Sequence, residues 1–473
     1  MNLNQLTIKE VREGLKTKKF SSAELTRACL EQIKKHNPNL NAFIAVTEKE
    51  ALEQAKKADE LLQGEALENE RPLIGIPIAL KDLFSTKGIK TTAASNVLKD
   101  YIPQYDATAV IKLKNAGAVI IGKTNLDAWA HGSSGENSDF RATKNPWDTE
   151  YVPGGSSSGS AVSVASDMCI ASTGTDTGGS IRLPASFNNI VGLKPTYGRV
   201  SRYGIIAMAS SLDSIGHFTK TVEDSALMFN ITAGQDKMDA TTLPNPVEDF
   251  TKDLNKGIKG LKIGIPKEFV TSDLNKEVKS KFNEAVETFK NLGAEIVEIS
   301  LPYTEYGIAA YYIIQPSEVS SNLARYDGIR FGSARQNFGD EAKRRIMLGT
   351  FTLSSGYYDA YYKKAMAVRT LIKKDFDDAF KKVDALISPV CPTLPWKLGE
   401  KIDDPLKMYL SDALTVTINI AGIPSLSIPA GFSTNNLPIG IQIMGKQLSE
   451  SLLFQIGNAY EKQTNLYKQK PNL

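Results

Sequence analysis

The sequence predicts an α/β fold built around a central sheet, and three features of the 473-residue chain lead to this prediction. First, two short apolar runs at residues 73–80 and 118–121 flank a helical pattern, which is the strand, helix, strand order of α/β proteins. Second, residues 261–299 repeat that order. Third, later strand-like runs are expected to return the chain to the sheet, at residues 385–390, 424–429 and 439–444.

The composition is that of a soluble globular protein, with 41% hydrophobic and 23% charged residues. The net charge of +3 is too small to predict independent nucleic-acid binding. Cys29, Cys169 and Cys391 are far apart and form no CxxC pair, so neither a disulfide framework nor a zinc knuckle is expected. Because the chain lacks both an apolar membrane-length stretch and a signal core in residues 1–16, we expect a cytoplasmic protein without membrane association.

The first elements are predicted to be helices that wrap around the sheet. Ser21 with Glu24, and Thr47 with Glu50, have the spacing of capping boxes at helix N-termini. The apolar run 73–80 then suits a buried strand, and Lys81 follows it directly.

The next elements alternate between helices and strands. Residues 107–115 have the pattern of a helix that Gly117 closes, and residues 118–121 form the second predicted strand. Residues 124–150 are expected to be ordered but irregular. The remaining elements are a helix over 219–232, a polar connection over 235–256, a strand over 261–265, a helix over 277–292, a strand over 294–299 and helices over 305–382.

The most informative stretch is residues 151–187, where two clusters of glycine and serine flank a segment rich in alanine, valine and isoleucine. A Gly/Ser run is most often a flexible linker. A linker would not alternate with core-forming residues, however, so we interpret the stretch as buried, tightly turning backbone. Backbone of this kind commonly forms a functional site.

A motif for a different chemistry overlaps the first cluster. Gly155, Ser157 and Gly159 satisfy GxSxG, in which the serine needs a downstream histidine base, and His217 is the only histidine after it. A Ser-His-Asp arrangement through Ser157 is therefore an open but disfavoured alternative. The cluster also lacks the GK[ST] ending of a phosphate-binding loop.

A serine enzyme without a suitable histidine needs another base, and a lysine can serve if burial lowers its pKa from about 10.4. Lys81 is the candidate, because it follows the apolar residues 78–80. The alternative is a lysine at a strand end whose amine reaches solvent.

The second cluster, TDTGGS at residues 175–180, has the form of an oxyanion hole. Its consecutive small residues allow several backbone N–H groups to point at one position next to the hydroxyl of Ser180. The alternative, compatible with the first, is a helix N-terminus that Ser180 caps.

These motifs together resemble the signature of the amidase signature family of amide hydrolases. The matching segments are GIPIALKD (75–82), PGGSSSGSA (153–161) and GTDTGGSIRLPAS (174–186). The resemblance implies that Ser180 is the nucleophile, that Ser156 is a bridging serine after a cis peptide bond, and that Lys81 is the base. Ser156 and Lys81 lie 24 and 99 residues before Ser180, as in that family. By the same resemblance the backbone amides of residues 177–179 (Thr177, Gly178 and Gly179) stabilise the oxyanion.

The resemblance also implies the details of the fold. We expect a mixed central sheet covered by helices on both faces, with a smaller inserted α/β subregion. The expected parts are an N-terminal helical wrap (1–65), the amidase core with the triad (66–240), an inserted α/β and helical subregion that contacts substrate (241–400), and a return to the core sheet with a C-terminal helix (401–473).

Longer segments are similar to one branch of this family, the A subunits of the aspartyl/glutamyl-tRNA amidotransferases. They include VGLKPTYGRVSRYG (191–204), the segment from residue 310 to Gly332, and RRIMLGTFTLSSGYYDAYYKKA (344–365). The resemblance implies that Tyr311, Arg345 and Asp412 hold glutamine, with Arg345 on its α-carboxylate and Asp412 on its α-ammonium.

The same resemblance implies the setting of the reaction. Ammonia from glutamine would pass to a B subunit, which uses ATP and Mg²⁺ to convert Glu-tRNA(Gln) and/or Asp-tRNA(Asn), while a small C subunit completes a heterotrimer. We expect no cofactor and no metal in this chain, and misacylated tRNA mainly on the B subunit. A freestanding amidase for small amides and a catalytically silent scaffold subunit remain alternatives.

The sequence departs from the family's usual pattern at three places. Ser158 stands where glycine is usual, Asn188 and Asn189 stand where cysteine and glycine are common, and the stretch from Gly332 to Glu341 is shorter than expected. None of these departures removes a member of the triad.

Overall fold

The computed structural model describes residues 2–62, 71–329 and 333–473, and its strands within those ranges form one sheet. These strands are Phe43–Val46 (β1), Pro77–Lys81 (β2), Val119–Thr124 (β3), Ala171–Asp176 (β4), Val191–Lys194 (β5), Ser214–Thr219 (β6), Lys262–Pro266 (β7), Glu295–Ile299 (β8), Ala385–Pro389 (β9), Ser425–Phe432 (β10) and Pro438–Met444 (β11).

The sheet is mixed, as predicted, and its order is β1-β3-β2-β4-β6-β5-β10-β11-β9-β7-β8. Strand β1 is one edge of the sheet and pairs antiparallel with β3, next to which β3, β2 and β4 run parallel to one another. Strands β9, β7 and β8 run parallel at the other end. The strands between them pair antiparallel. The inserted α/β unit therefore extends the same sheet at one edge.

Helices flank this sheet, and α5 packs on β4 while α6 packs on β10 and β11. The helices are Ile8–Lys16 (α1), Ser22–Leu40 (α2), Glu48–Leu61 (α3), Thr108–Asn115 (α4), Ser158–Ala165 (α5), Arg182–Phe187 (α6), Val222–Thr232 (α7), Lys276–Asn291 (α8), Gly307–Leu323 (α9), Asp340–Thr352 (α10), Lys364–Ala379 (α11), Pro405–Leu410 (α12), Val416–Ala421 (α13) and Glu450–Thr464 (α14). Across the ranges described above, each helix is too short or too polar to span a bilayer.

One of the two predicted capping boxes is confirmed. The Ser21 hydroxyl and the Glu24 carboxylate each accept the backbone N–H of the other residue at the start of α2. The second prediction is wrong, because the Thr47 hydroxyl donates instead to the carbonyl of Ile120 in β3 and makes no cap bond. Tertiary contact with the sheet outweighs the local cap here.

Four strands were not predicted, and β4 explains why. All six of its residues are buried, yet its sequence ASTGTD has no apolar run. Its small polar side chains are paired inside the protein; Ser172, for example, donates to the carbonyl of Ser160. Strands β1, β5 and β6 were missed for the related reason that they are short or rich in glycine and polar residues.

The predicted boundaries differ from the structure in places. The strand predicted from residue 73 begins at Pro77, because residues 72–75 form a turn. The predicted division at 65/66 and Gly332 lie outside the described residues, and the four-part division of the chain stays a prediction.

A buried ion pair joins the second Gly/Ser cluster to the far half of the sheet. The Asp176 carboxylate accepts from Nε and Nη2 of Arg182, each at 3.0 Å, and both side chains are inaccessible to solvent. Arg182 also donates to Gln442 of β11 and to Asn419 of α13. Burial alone would raise the pKa of Asp176, but the Arg182 guanidinium holds that pKa below its ordinary value.

Replacing Arg182 with leucine is expected to lower the free energy of unfolding by about 3–5 kcal/mol, because Asp176 would remain a buried charge without its partner. Urea denaturation measures this change. The matched control is Lys373→Leu, which breaks a solvent-exposed ion pair with Asp377 and should cost less than about 1 kcal/mol. Equally small effects in the two variants would contradict the structural role of the buried pair.

Candidate active site

Lys81, the last residue of β2, is surrounded by hydroxyl groups. Its side chain is fully buried, and Nζ lies 2.9 Å from Ser156 Oγ, 2.9 Å from Ser157 Oγ and 2.7 Å from Thr175 Oγ1. The alternative in which the amine reaches solvent is therefore wrong. Strand β2 pairs with β4 just before Lys81, and the backbone N–H of Lys81 donates to the side-chain hydroxyl of Thr173 on β4.

Burial lowers the pKa of Lys81 to about 7, although nearby carboxylates act in the opposite direction. These carboxylates belong to Asp127, Asp176 and Asp213. None of the carboxylates in the described ranges forms an ion pair with Lys81. A large fraction of Lys81 can therefore be neutral near pH 7, and a neutral amine can accept a proton.

The hydrogen bonds around Lys81 distinguish between its two serine neighbours. The Ser157 hydroxyl donates its hydrogen bond to the carbonyl of Thr175 at 3.1 Å, so its proton points away from Lys81. Ser156 Oγ has Lys81 Nζ as its neighbour and no such acceptor among the described residues. Ser156 is accordingly the serine whose proton can move to Lys81.

The backbone around Ser156 has the geometry that the family resemblance predicted. The Gly155–Ser156 peptide bond is cis. The carbonyl of Ser156 accepts from the N–H of Asp127 at 3.1 Å, and the N–H of Gly155 donates to the carbonyl of Ser133 at 2.9 Å. A Cβ at Gly155 would lie 2.0 Å from Oδ2 of Asp127, so only glycine fits at this position.

Ser180 lies beside this pair, with its carbonyl accepting from the N–H of Ser157 at 3.2 Å and its side chain almost completely buried. Among the described residues its hydroxyl has no hydrogen-bond partner. The structure thus shows the Lys81–Ser156 link of the predicted relay but not a Ser156–Ser180 bond. Such bonds are often long until substrate is present.

The backbone amides of the second cluster differ in their availability. The N–H of Gly179, one of the three predicted oxyanion donors, donates to Oδ1 of Asp176 at 2.9 Å and is therefore occupied. The amides of Thr177, Gly178 and Ser180 have no hydrogen-bond acceptor in the described part of the chain. The roles of Thr177 and Gly178 stay predictions, and the Ser180 amide is a further candidate that the sequence analysis missed.

The cap predicted for Ser180 is replaced by a different arrangement. Helix α6 begins at Arg182, and Ile181 rather than Ser180 precedes it. The Asp176 carboxylate accepts the N–H of Ile181 at 3.2 Å and so satisfies the start of the helix. The Ser180 hydroxyl is therefore not used as a helix cap.

The three residues predicted to hold glutamine come together near the Ser180 loop. Tyr311 is buried against Gly178, where an added Cβ would lie 2.5 Å from the tyrosine oxygen. Thr415 links the same glycine to Asp412, because its hydroxyl lies 2.6 Å from the Gly178 carbonyl and 3.0 Å from the Asp412 carbonyl. Arg345 stacks near the ring of Tyr312, with 5.4 Å between the guanidinium carbon and the ring centroid.

Asp412 is held by hydroxyl donors that the sequence analysis missed. Ser133 Oγ lies 2.8 and 3.0 Å from its two carboxylate oxygens, and the Tyr312 hydroxyl donates at 2.9 Å. Burial raises the pKa of Asp412 to about 6, while these two donors and Arg345 act to lower it. Because Ser133 and Asp412 are 279 residues apart, no local sequence signal identifies the pair.

A concavity of about 600 Å³ opens at Arg345. Tyr409, Met408, His131 and Glu341 are among its lining residues. A second concavity, of about 510 Å³, reaches Asp213, which accepts from the Thr177 hydroxyl. Ser180 lines neither of these two concavities, and 8% of its surface is accessible to solvent.

The GxSxG alternative is not supported by the geometry. His217 is buried in β6, and its Nε2 pairs with Ser225 Oγ at 2.8 Å rather than with Ser157. Among the described side chains there is also no group of three or more metal-ligating residues.

The residues that depart from the family pattern are accommodated by hydrogen bonds. The Ser158 hydroxyl donates to Thr143 at 3.0 Å. Asn188 Nδ2 donates to the carbonyls of Pro153 and Pro184 at 2.7 Å, which joins the two Gly/Ser clusters. Asn189 has a positive φ of 57° and donates to Leu466 near the C-terminus.

Known proteins resemble this chain in sequence and in structure. The protein family described as Amidase matches residues 24–454. The A subunits of the glutamyl-tRNA(Gln) amidotransferases of Geobacter metallireducens and Desulfatibacillum aliphaticivorans are 52% and 50% identical, each over 100% of both chains.

Solved structures that resemble this chain come from the same group of proteins. The A subunit of the glutamyl-tRNA(Gln) amidotransferase of Thermotoga maritima matches with a TM-score of 0.85 and 42% identity, covering 100% of this chain and 98% of that one. The peptide amidase of Stenotrophomonas maltophilia matches with a TM-score of 0.84 and 30% identity over 98% of both chains. The chain belongs to the amidase signature family.

Proposed function

We propose that this chain is the glutamine-hydrolysing A subunit of a tRNA-dependent amidotransferase. The observation that carries the proposal is the juxtaposition of two groups on one loop. The buried Lys81–Ser156 pair adjoins Ser180, and the Arg345 and Asp412 cluster adjoins Gly178, two residues earlier. The first group suits amide hydrolysis, and the second suits an amino acid with both a carboxylate and an ammonium group.

Proton transfer would begin at Lys81. Its neutral amine takes the proton of Ser156, and Ser156 takes the proton of Ser180 as Ser180 Oγ attacks the carboxamide carbon. The proton then returns from Lys81 through Ser156 to the leaving nitrogen, so that ammonia departs. Water hydrolyses the acyl-enzyme by the same route and releases glutamate.

Backbone amides would stabilise the negative charge that develops on the carbonyl oxygen. The amides of Thr177, Gly178 and Ser180 are the candidates, and each oxyanion donor is worth about 3–4 kcal/mol in serine enzymes. Because Asp176 occupies the Gly179 amide and the start of α6, the loop is held in place before substrate binds.

The charges around the concavity would orient glutamine. Arg345 pairs with the α-carboxylate and Asp412 with the α-ammonium, and Tyr311 packs between them and Gly178. The side-chain amide then lies toward Ser180.

The proposal includes partners and a location. Ammonia would pass to a B subunit, which holds ATP and Mg²⁺ and carries most contacts with Glu-tRNA(Gln) or Asp-tRNA(Asn), and a C subunit would complete a cytoplasmic heterotrimer. The full-length similarity to chains named as amidotransferase A subunits supports an assembly with other subunits.

A freestanding amidase is the second candidate, and the similarity to a peptide amidase favours it. The two candidates differ in their dependence on partners. Co-purification of the complex followed by glutaminase assays with and without Glu-tRNA(Gln) tests this difference. Stimulation by tRNA supports the amidotransferase, whereas full turnover of small amides by the chain alone supports the amidase.

The kcat/KM for glutamine is expected to rise with pH and to reach half of its plateau near pH 7. The reason is that Lys81 acts as a base only when neutral, and its pKa is about 7. Initial rates between pH 5.5 and 9 measure the profile. Lys81→Met should lower kcat by roughly 10²- to 10⁴-fold. A flat wild-type profile would contradict the role of Lys81.

Ser180→Ala is expected to reduce glutamine-dependent transamidation by on the order of 10³-fold or more, because the nucleophile is lost. Transamidation supplied with an ammonium salt should persist, since it bypasses glutamine hydrolysis. Both rates can be measured on the assembled complex. Unaltered glutamine-dependent activity would favour the silent scaffold, and loss of both activities would indicate failed assembly.

Asp412→Asn is expected to raise the KM for glutamine roughly 30-fold or more, with a smaller change in kcat, because the ammonium group loses its counter-charge. In the wild type, KM should also rise as the pH falls below about 6, where Asp412 becomes protonated. Steady-state kinetics at several pH values measure both effects. A lowered kcat with unchanged KM would instead assign Asp412 to the chemical step.

A further inference from the structure

Two buried polar side chains beside Arg345 keep donor atoms without a partner. His131 and Gln315 are both inaccessible to solvent. Within the described ranges, neither the ring nitrogens of His131 nor Nε2 of Gln315 form a hydrogen bond. Leaving buried polar atoms unpaired is unfavourable, so an arrangement of this kind suggests a ligand.

Both side chains belong to the surroundings of Arg345. His131 lines the same concavity as Arg345, and the guanidinium is close enough to act on the imidazole electrostatically. Gln315 Oε1 accepts from Arg345 Nη1 at 2.9 Å. Gln315 also follows Tyr311 by four residues on α9, so both project from one face of that helix.

Arg345 by itself offers few donors to a substrate. Its Nε donates to Glu341 at 2.7 Å and its Nη1 to Gln315. Among the described residues two of the five N–H groups are thus used, and three remain, one on Nη1 and two on Nη2. A carboxylate has about four acceptor sites, so further donors are needed to satisfy it in a buried setting.

The imidazole of His131 is suited to supply one of these donors. Burial, followed by the charge of Arg345, lowers the pKa of His131 well below its ordinary value. A neutral imidazole carries one N–H donor and adds no charge to the site. The Gln315 amide on helix α9 supplies two more N–H groups.

Another buried glutamine in this fold is satisfied by the protein. Gln442 of β11 donates through Nε2 to Ser388 Oγ and to the carbonyls of Pro389 and Leu414. Gln315 therefore differs from Gln442, the other glutamine that is buried in the described part of the chain.

Resting on the proposed function, we propose that His131 and Gln315 bind the α-carboxylate of the amide substrate together with Arg345. They act as specificity residues that select ω-amides carrying a free α-carboxylate. A carboxylate is the group that fits, because Arg345 supplies a cation and its neighbours His131 and Gln315 supply neutral donors. Asp412, a carboxylate itself, suits the ammonium group instead.

The test compares two substrates of the assembled amidotransferase complex. Glutamine carries the α-carboxylate, and 4-aminobutanamide is the same molecule without it. The ratio of their kcat/KM values is expected to fall about 10-fold in His131→Phe and about 10-fold in Gln315→Leu, mainly through a higher KM for glutamine. Gln315→Glu should lower the ratio most, because it places a second carboxylate beside the substrate's own.

Controls separate selection from folding. At least one of His131→Asn and His131→Gln keeps an N–H near the native position and should restore part of the ratio. His36→Phe removes an imidazole from helix α2, far from Arg345 along the chain, and should leave the ratio unchanged. Turnover of 4-aminobutanamide and the thermal midpoint report the folded fraction of each variant.

Each outcome is decisive. An unchanged ratio in both His131→Phe and Gln315→Leu would mean that water alone satisfies these groups, and it would overturn this inference only. Equal losses on both substrates would assign the two residues to structure and also overturn it. A wild-type complex that uses both substrates equally well would overturn this inference and the proposed function together.

Discussion

The desolvation of Lys81 is the constraint on which the site depends. An amine buried without a carboxylate partner is unstable as an ammonium ion, and this instability makes it a base near neutral pH. The fold maintains the condition with three hydroxyl oxygens within 2.9 Å instead of a counter-ion. The Ser157–Thr175 hydrogen bond then leaves Ser156 as the one of these serines whose proton can be transferred to the amine.

The Asp176 carboxylate fixes the other part of the site, the turn that carries Ser180. It lies at the end of β4, accepts the amide of Gly179 and the start of α6, and pairs with Arg182. One buried charge thereby fixes the turn that carries Ser180 and ties it to β11 through Arg182 and Gln442. These donors together offset the free-energy cost of removing the Asp176 carboxylate from water.

The substrate side is assembled from distant segments. Ser133 and Asp412 meet across 279 residues, and Thr415 joins Asp412 to the Gly178 carbonyl. The groups proposed to bind the amino acid therefore contact the loop that carries Ser180.

Helices and strands with a clear hydrophobic pattern, and candidate catalytic residues in recognisable motifs, could be predicted from the sequence alone. The apolar runs predicted β2 and β3, the Ser21 capping box predicted the start of α2, and the spacing of Lys81, Ser156 and Ser180 identified the catalytic candidates.

The remaining features depend on the three-dimensional fold, because the contacts that produce them are non-local. Strand β4 is buried although it has no apolar pattern, because its hydroxyl groups are hydrogen-bonded inside the protein. The Thr47 side chain makes no cap bond to α3, because its hydroxyl donates to the carbonyl of Ile120. The Gly179 amide is occupied because it donates to the Asp176 side chain. His131 and Gln315 become candidate binding residues only through their position beside Arg345 on α10, which the sequence does not reveal.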